Sequence, residues 1–166
     1  MRISAVAVSL TLTGCASVPP LERPVSSAPF PVAAFFQGRS QGEGRLSVVL
    51  RRAAPVAVES IGRREADGTL VLDQRIREGA KPPRTRQWRL REVAPGRWTG
   101  SLTDADGPVE GRVEGPVLRL RFTADGLRIE QRLVLRADGR SAHNILTARK
   151  WGVRVARVEE TIRKLP

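Results

Sequence analysis

The chain has 166 residues, with 29 Lys and Arg against 17 Asp and Glu, one cysteine, one histidine and no tyrosine. That length supports one domain with a sizeable core, and a lone cysteine excludes an internal disulfide framework. The net charge of +12 is carried by arginine, since only Lys81, Lys150 and Lys164 are lysines. The basic residues are spread along the sequence, which argues against a nucleic-acid partner. It fits a chain that uses arginine freely, with weak attraction to anionic lipid or lipopolysaccharide as a by-product.

The N-terminus reads as a targeting segment. Met1 and Arg2 precede a short apolar stretch, Ile3 to Leu12, too short to span a bilayer as a permanent helix. It ends in Leu12-Thr13-Gly14-Cys15, which resembles the bacterial lipobox. Small residues before the cut admit the chain to a signal peptidase, and the thiol beside them accepts a diacylglycerol group. The expectation is a lipoprotein signal peptide over residues 1–14 and lipidation at Cys15, the membrane being the partner through that lipid. Each buried CH₂ of an acyl chain contributes about 0.8 kcal/mol, so several chains make attachment practically irreversible. Ala16 follows the cysteine where no aspartate stands; this resembles the default for the periplasmic face of the outer membrane.

Residues 15–33 are expected to be the lipidated cysteine and its tether. Pro19, Pro20, Pro24, Pro29 and Pro31 favour an extended polyproline geometry, reaching roughly 3 Å per residue. The folded domain is expected over residues 34–166.

Turn signals then punctuate the chain: Asp67-Gly68, Pro95-Gly96, Asp106-Gly107, Gly115-Pro116, Asp125-Gly126, Asp138-Gly139 and Trp151-Gly152. Between them apolar residues alternate with charged ones. Leu118, Leu120 and Phe122 oppose Arg119 and Arg121, and Leu127, Ile129, Leu133 and Leu135 oppose Arg128, Glu130, Arg132 and Arg136. Leu70, Leu72 and Ile76 follow the same rule. Period two with one apolar face is the half-buried antiparallel strand. No window carries a helical stripe, and the C-terminal Val-Glu-Glu-Thr-Ile-Arg-Lys reads as a last strand or a short helix. The prediction is an all-β, up-and-down antiparallel barrel of about nine to ten strands, lipocalin-like, with an open β-sandwich as the alternative.

Several motifs carry a more specific resemblance. Phe35-Phe36-x-Gly38 and Gly42-x-Gly44 open the domain; Arg86-Gln87-Trp88 follows, then Trp98-Thr99-Gly100-Ser101-Leu102-Thr103-Asp104-Ala105-x-Gly107-Pro108-Val109-x-Gly111. The chain closes with Asp138-Gly139-Arg140, Asn144, Lys150-Trp151-Gly152-Val153 and Glu160-Thr161-Ile162-Arg163-Lys164. This resembles the lipocalin-like bacterial lipoproteins of domain-of-unknown-function family 3833. Trp151 stands where that pattern has Phe, and Glu130-Gln131-Arg132-Leu133 where it has Asp-Asp-Trp-Met. The resemblance implies a lipoprotein with a β-barrel-like domain and no established activity, although relatives are often encoded beside fatty-acid-modifying enzymes.

Catalytic chemistry finds little to stand on in the sequence. His143 is the sole histidine, no Gly-x-Ser-x-Gly elbow is present, and alternation sets His143 apart from Ala142 and Asn144 on an exposed strand face. One histidine, with the sole cysteine expected to be lipidated and no carboxylate cluster, supplies no zinc site. Asp104-x-Asp106-Gly107 is a fragment of a calcium loop that reads better as a hairpin turn. No phosphate-binding glycine loop or dinucleotide fingerprint occurs, so no cofactor is expected. The chain is therefore expected not to be an enzyme. What remains is a binding cavity: the phase that buries Leu72 also turns Gln74 inward, the phase of Ile129 turns Gln131 inward, and that of Trp88 turns Arg86 inward. With Trp98, these residues form the expected ligand site, Arg86 taking a carboxylate or phosphate head. The leading expectation is a lipophilic ligand, a fatty acid or phospholipid. The alternatives are a filled barrel that contacts another envelope protein, and an enzyme acting on acyl chains.

Overall fold

In the computed structural model, which describes residues 28–166, alternation and turn chemistry build ten antiparallel strands in chain order. The expected signal peptide, Cys15 and most of the expected tether lie outside the described residues. The strands are β1 (Gly38–Val48), β2 (Ala54–Arg64), β3 (Leu70–Glu78), β4 (Arg84–Ala94) and β5 (Arg97–Leu102). They continue as β6 (Val109–Glu114), β7 (Val117–Ala124), β8 (Leu127–Leu135), β9 (Ser141–Lys150) and β10 (Val153–Lys164). Each pairs with its sequence neighbours, and β1 pairs with β10 from Ser40↔Lys164 to Val48↔Ala156, closing the barrel. Closure removes the edges that an open sandwich would have left exposed.

The C-terminal segment, ambiguous in sequence, is the strand that completes closure. Its broken alternation has a local cause, a register shift between Arg154 and Ala156. The seven expected turn dipeptides all sit between strands. At Asp125-Gly126 and Trp151-Gly152 both turn residues have positive φ, as a two-residue hairpin with primed geometry requires.

The two ends of the barrel differ. One is plugged by α1 (Val32–Phe36), a single helical turn, together with Phe30 just before it. The rings of Phe30, Phe35 and Phe36 lie 4.9 to 6.3 Å apart. The Phe30 amide donates to the Gly115 carbonyl at 2.8 Å, and Lys164 Nζ donates to the Ala34 carbonyl. Gly62 admits this plug, since a Cβ there would stand 1.9 Å from the Phe36 carbonyl oxygen. Phe30 and Val32 are each 3% exposed, so packing begins upstream of the expected boundary at residue 34. Their flanking prolines hid two core positions inside a segment that otherwise reads as tether.

The main core fills the plugged half, where Leu70, Leu118 and Leu133 are almost wholly buried. Toward the other end, Val56, Val58 and Ile76 form a separate small cluster with Leu46. The walls there do not meet across the barrel.

Candidate ligand cavity

The gap between those walls is a cavity of about 600 Å³ at the unplugged end. Leu46, Val56, Val58, Ile76, Phe122 and Ile129 give it apolar sides. Polar side chains reach its interior from opposite walls, Arg86 from one and Gln131, Asn144 and Glu160 from the other, while Glu78, Asp125 and the Arg84–Asp104 ion pair also line it.

Register explains the first wall. Ser60 pairs with Gln74 across β2 and β3, and Gln74 pairs with Arg86 across β3 and β4. Three inward-facing polar residues therefore lie side by side. Gln74 Nε2 donates to Ser60 Oγ at 3.0 Å, while Gln74 Oε1 accepts from Arg86 Nε and from Trp88 Nε1, both at 2.8 Å. The guanidinium also lies 5.2 Å from the centre of the Trp88 ring, which packs edge-on against Phe122. No carboxylate forms an ion pair with Arg86 among the described residues. Desolvation, reinforced by the nearby charge of Arg84, pushes its pKa down to about 10, which leaves it a cation at neutral pH.

On the second wall, Asn144 and Glu160 are paired across β9 and β10, and Asn144 Nδ2 donates to Glu160 Oε1 at 2.7 Å. Glu160 Oε2, Asn144 Oδ1 and Gln131 Oε1 are buried without a protein partner. Burial raises the pKa of Glu160, against the opposing pull of the Asn144 hydrogen bond and the charge of Arg86. Gly42-x-Gly44 on β1 makes room for this wall. A Cβ at Gly42 would stand 2.8 Å from Glu160 Oε2, and one at Gly44 would stand 2.1 Å from the Glu159 carbonyl oxygen.

Of the residues read from sequence, Arg86 and Gln131 line the cavity, and Gln74 and Trp88 hold Arg86 in place. Trp98 does not line it. It belongs to the main core of the plugged half, packed beside Gly111. Asn144 and Glu160 were missed as site residues, because the irregularity early in β10 obscures which of Glu159 and Glu160 points inward. Glu159 is on the outer wall, where it meets His143 Nε2 at 3.0 Å. Asp104 and Asp106 serve the β5–β6 turn, Asp104 bonding Arg84 and Asp106 accepting the Gly126 amide.

An up-and-down barrel plugged at one end, with a lined cavity at the other, defines a lipocalin-like protein. Its sequence matches, over residues 9–164, the profile of the protein family of unknown function DUF3833, and the chain belongs to that family. No curated protein matches it. Among solved structures it is similar to the S-type phycobiliprotein lyase CPES from Guillardia theta. The TM-score is 0.62 at 10% identity, covering 81% of this chain and 93% of that one. It is also similar to a protein of unknown function of the DUF3598 family from Nostoc punctiforme PCC 73102. There the TM-score is 0.55 at 10% identity, covering 84% of this chain and 51% of that one.

The likeness to a lyase corrects one expectation. The sequence reading held the chain not to be an enzyme, yet a barrel of this shape belongs to a protein named as one, so the fold gives no ground for that exclusion. The sequence reading sought a histidine base or a serine elbow. It overlooked Glu160, a buried carboxyl of raised proton affinity facing a cavity, which is a group that acid–base chemistry can use.

Proposed function

We propose that this protein is a lipid-anchored envelope protein that takes up a lipophilic molecule, a fatty acid or phospholipid, with its polar head inside the barrel. The observation that carries the reading is the cavity. Its volume of about 600 Å³ lies within the range of small-molecule sites, and such sites combine apolar walls with a few convergent polar groups. Arg86 supplies a cation whose hydrogen-bond partner is a neutral amide, so its charge is available to an anionic head. Gln131, Asn144 and Glu160 supply acceptors for donors on that head. The anchor reading rests on Leu12-Thr13-Gly14-Cys15, and the outer-membrane location on the residue after it. The filled-barrel alternative fits the plugged half alone.

Native mass spectrometry of the protein isolated gently from its own envelope fraction tests both parts. The expected spectrum shows acylation of an N-terminal peptide beginning at Cys15 and a non-covalent lipid adduct of one per chain. An apo mass unchanged by incubation with fatty acids and phospholipids would sink the ligand reading. An unmodified Cys15 would sink the anchor.

A further inference from the structure

Six large apolar side chains are notably exposed among the described residues, and four of them share one place. Val49 and Leu50 form the tip of the β1–β2 hairpin; Trp151 and Val153 form the tip of the β9–β10 hairpin. β1 and β10 are neighbours, and the Val49 amide donates to the Val155 carbonyl at 3.0 Å. The two tips therefore stand together on the rim of the cavity mouth. Leu50 is wholly exposed and Trp151 is 92% exposed, as far out of the protein as side chains go.

The backbone singles out the same two residues. Among the described residues three non-glycine residues have positive φ, and two of them are Leu50 at 63° and Trp151 at 49°. Such positions favour glycine, asparagine or aspartate, and a bulky apolar side chain there is unfavourable. At the neighbouring hairpin the same turn is made by Asp125-Gly126. Apart from the Lys150 ammonium 4.9 Å from the centre of the Trp151 ring, no packing rewards leucine or tryptophan at these exposed tips, and water does not favour them either.

Charge completes the surface. Arg51 and Arg52 adjoin the first tip, and Arg149, Lys150 and Arg154 adjoin the second; all five are exposed. No acidic residue occurs in residues 49–53 or 149–155. None of the five cations forms an ion pair among the described residues. Basic residues that are spread along the sequence are gathered here by the closure of β1 on β10. Exposed apolar tips ringed by unpaired cations match one surface chemistry, an apolar layer beneath anionic head groups. Tryptophan at such a tip suits the boundary between head groups and acyl chains.

We propose that the paired tips of the β1–β2 and β9–β10 hairpins dock the barrel mouth on an anionic phospholipid bilayer. Leu50 and Trp151 enter the interface while the arginines and Lys150 meet the phosphates. This surface is independent of what the cavity holds, but it brings the mouth to the phase from which a lipid would enter.

The test uses the full-length chain carrying Cys15→Ser, so that no covalent lipid contributes. It is mixed with vesicles of phosphatidylglycerol and phosphatidylcholine, or of phosphatidylcholine alone. Trp88 and Trp98 are buried, but Trp88 stands beside the cavity, so the part of the change in tryptophan emission that Trp151→Ser removes is the part that reports Trp151. The expected result is a blue-shifted emission, quenched by brominated acyl chains, with the anionic vesicles only, and binding that weakens as salt is raised. The double variant Leu50→Ser/Trp151→Ser, with an unchanged circular dichroism spectrum, should co-sediment with anionic vesicles at least about tenfold more weakly. Its N-terminal apolar stretch is unaltered, so attachment through that segment cancels in the comparison. Equal sedimentation of the two proteins overturns the proposal, as does an unmoved emission or equal binding to phosphatidylcholine alone. Self-association without vesicles that Leu50→Ser abolishes would assign the patch to a second copy of the chain and overturn it as well.

Discussion

Gln74 Oε1 accepts the Nε proton of Arg86 at 2.8 Å, so this guanidinium is held by a neutral amide, whereas Arg84 on the same cavity is paired with Asp104. A carboxylate in that place would have fixed the side chain equally well and cancelled its charge. The amide fixes it and leaves the charge unspent. Trp88 Nε1 shares the same oxygen, which ties the orientation of the cation to a buried ring of the core.

Replacing Arg86 by Leu should therefore weaken binding of a fatty acid by roughly 10- to 100-fold, the worth of a charge-assisted hydrogen bond. The measurement is a titration with a fluorescent fatty acid. Gln74→Glu is the sharper variant, because it keeps an acceptor for Arg86 and Trp88 but pairs the guanidinium internally. It should reduce affinity for an anionic ligand while leaving the thermal midpoint close to wild type. Unchanged affinity in both variants would remove Arg86 from the binding role.

The glycines of β1 make a prediction about closure. A methyl at Gly44 would stand 2.1 Å from the Glu159 carbonyl oxygen and 2.6 Å from the Glu160 Cα, backbone that cannot move without parting β1 from β10. A methyl at Gly42 meets chiefly the Glu160 carboxylate at 2.8 Å, the far end of a flexible side chain. Gly44→Ala should thus cost about 3 kcal/mol or more in denaturant unfolding, beyond the usual range for overpacking, and Gly42→Ala clearly less. Equal effects would mean that the wall yields as readily at one point as at the other.

These contrasts mark how far the sequence could be read. Alternation in β3, β7 and β8 names the inward residues directly, because charged residues predominate on one face of each strand and apolar ones on the other; Gln74 and Gln131 follow from phase alone. Dihedral chemistry at the Asp-Gly and Pro-Gly turns marks most strand ends. Glu160 was not legible, since two adjacent glutamates and a register shift leave its phase open until β9 pins it opposite Asn144. Trp98 was misjudged for a different reason. Phase places it inside the barrel correctly, but height along the barrel decides between core and cavity, and alternation carries no information on height. The mouth patch was hidden too, because its members lie about a hundred residues apart in sequence and meet only through closure.

Phe30 decides where the domain begins. Its ring packs 5.1 Å from Phe35 and 6.3 Å from Phe36, and its amide is bonded to Gly115. Phe30→Ala is expected to destabilise the protein by roughly 3–5 kcal/mol, the range for emptying a buried aromatic site, read from the denaturant midpoint at constant slope. A residue of a loose tether would leave the midpoint where it was.

Glu160 gives a prediction in pH. Burial, the largest influence, raises its pKa, and the Asn144 hydrogen bond and the Arg86 charge only partly offset this. A carboxyl of raised pKa holds its proton more tightly in the folded chain than in the unfolded one. Its contribution to stability is therefore fully present in acid, below the unfolded carboxylate value, and is lost as pH rises through the folded value. Once it has given up that proton, Glu160 is a desolvated carboxylate with one oxygen unpartnered. Glu160→Gln keeps the shape and an acceptor for Asn144 but has no charge to desolvate. It should melt higher than wild type at pH 7, each 1 kcal/mol being worth about 4 °C in a domain of this size. The gap should close as the pH falls and Glu160 itself takes up its proton. A variant that melts lower than wild type at pH 7 would mean that the carboxylate is compensated by attraction to Arg86 across the cavity, and that the two walls act as one charged pair.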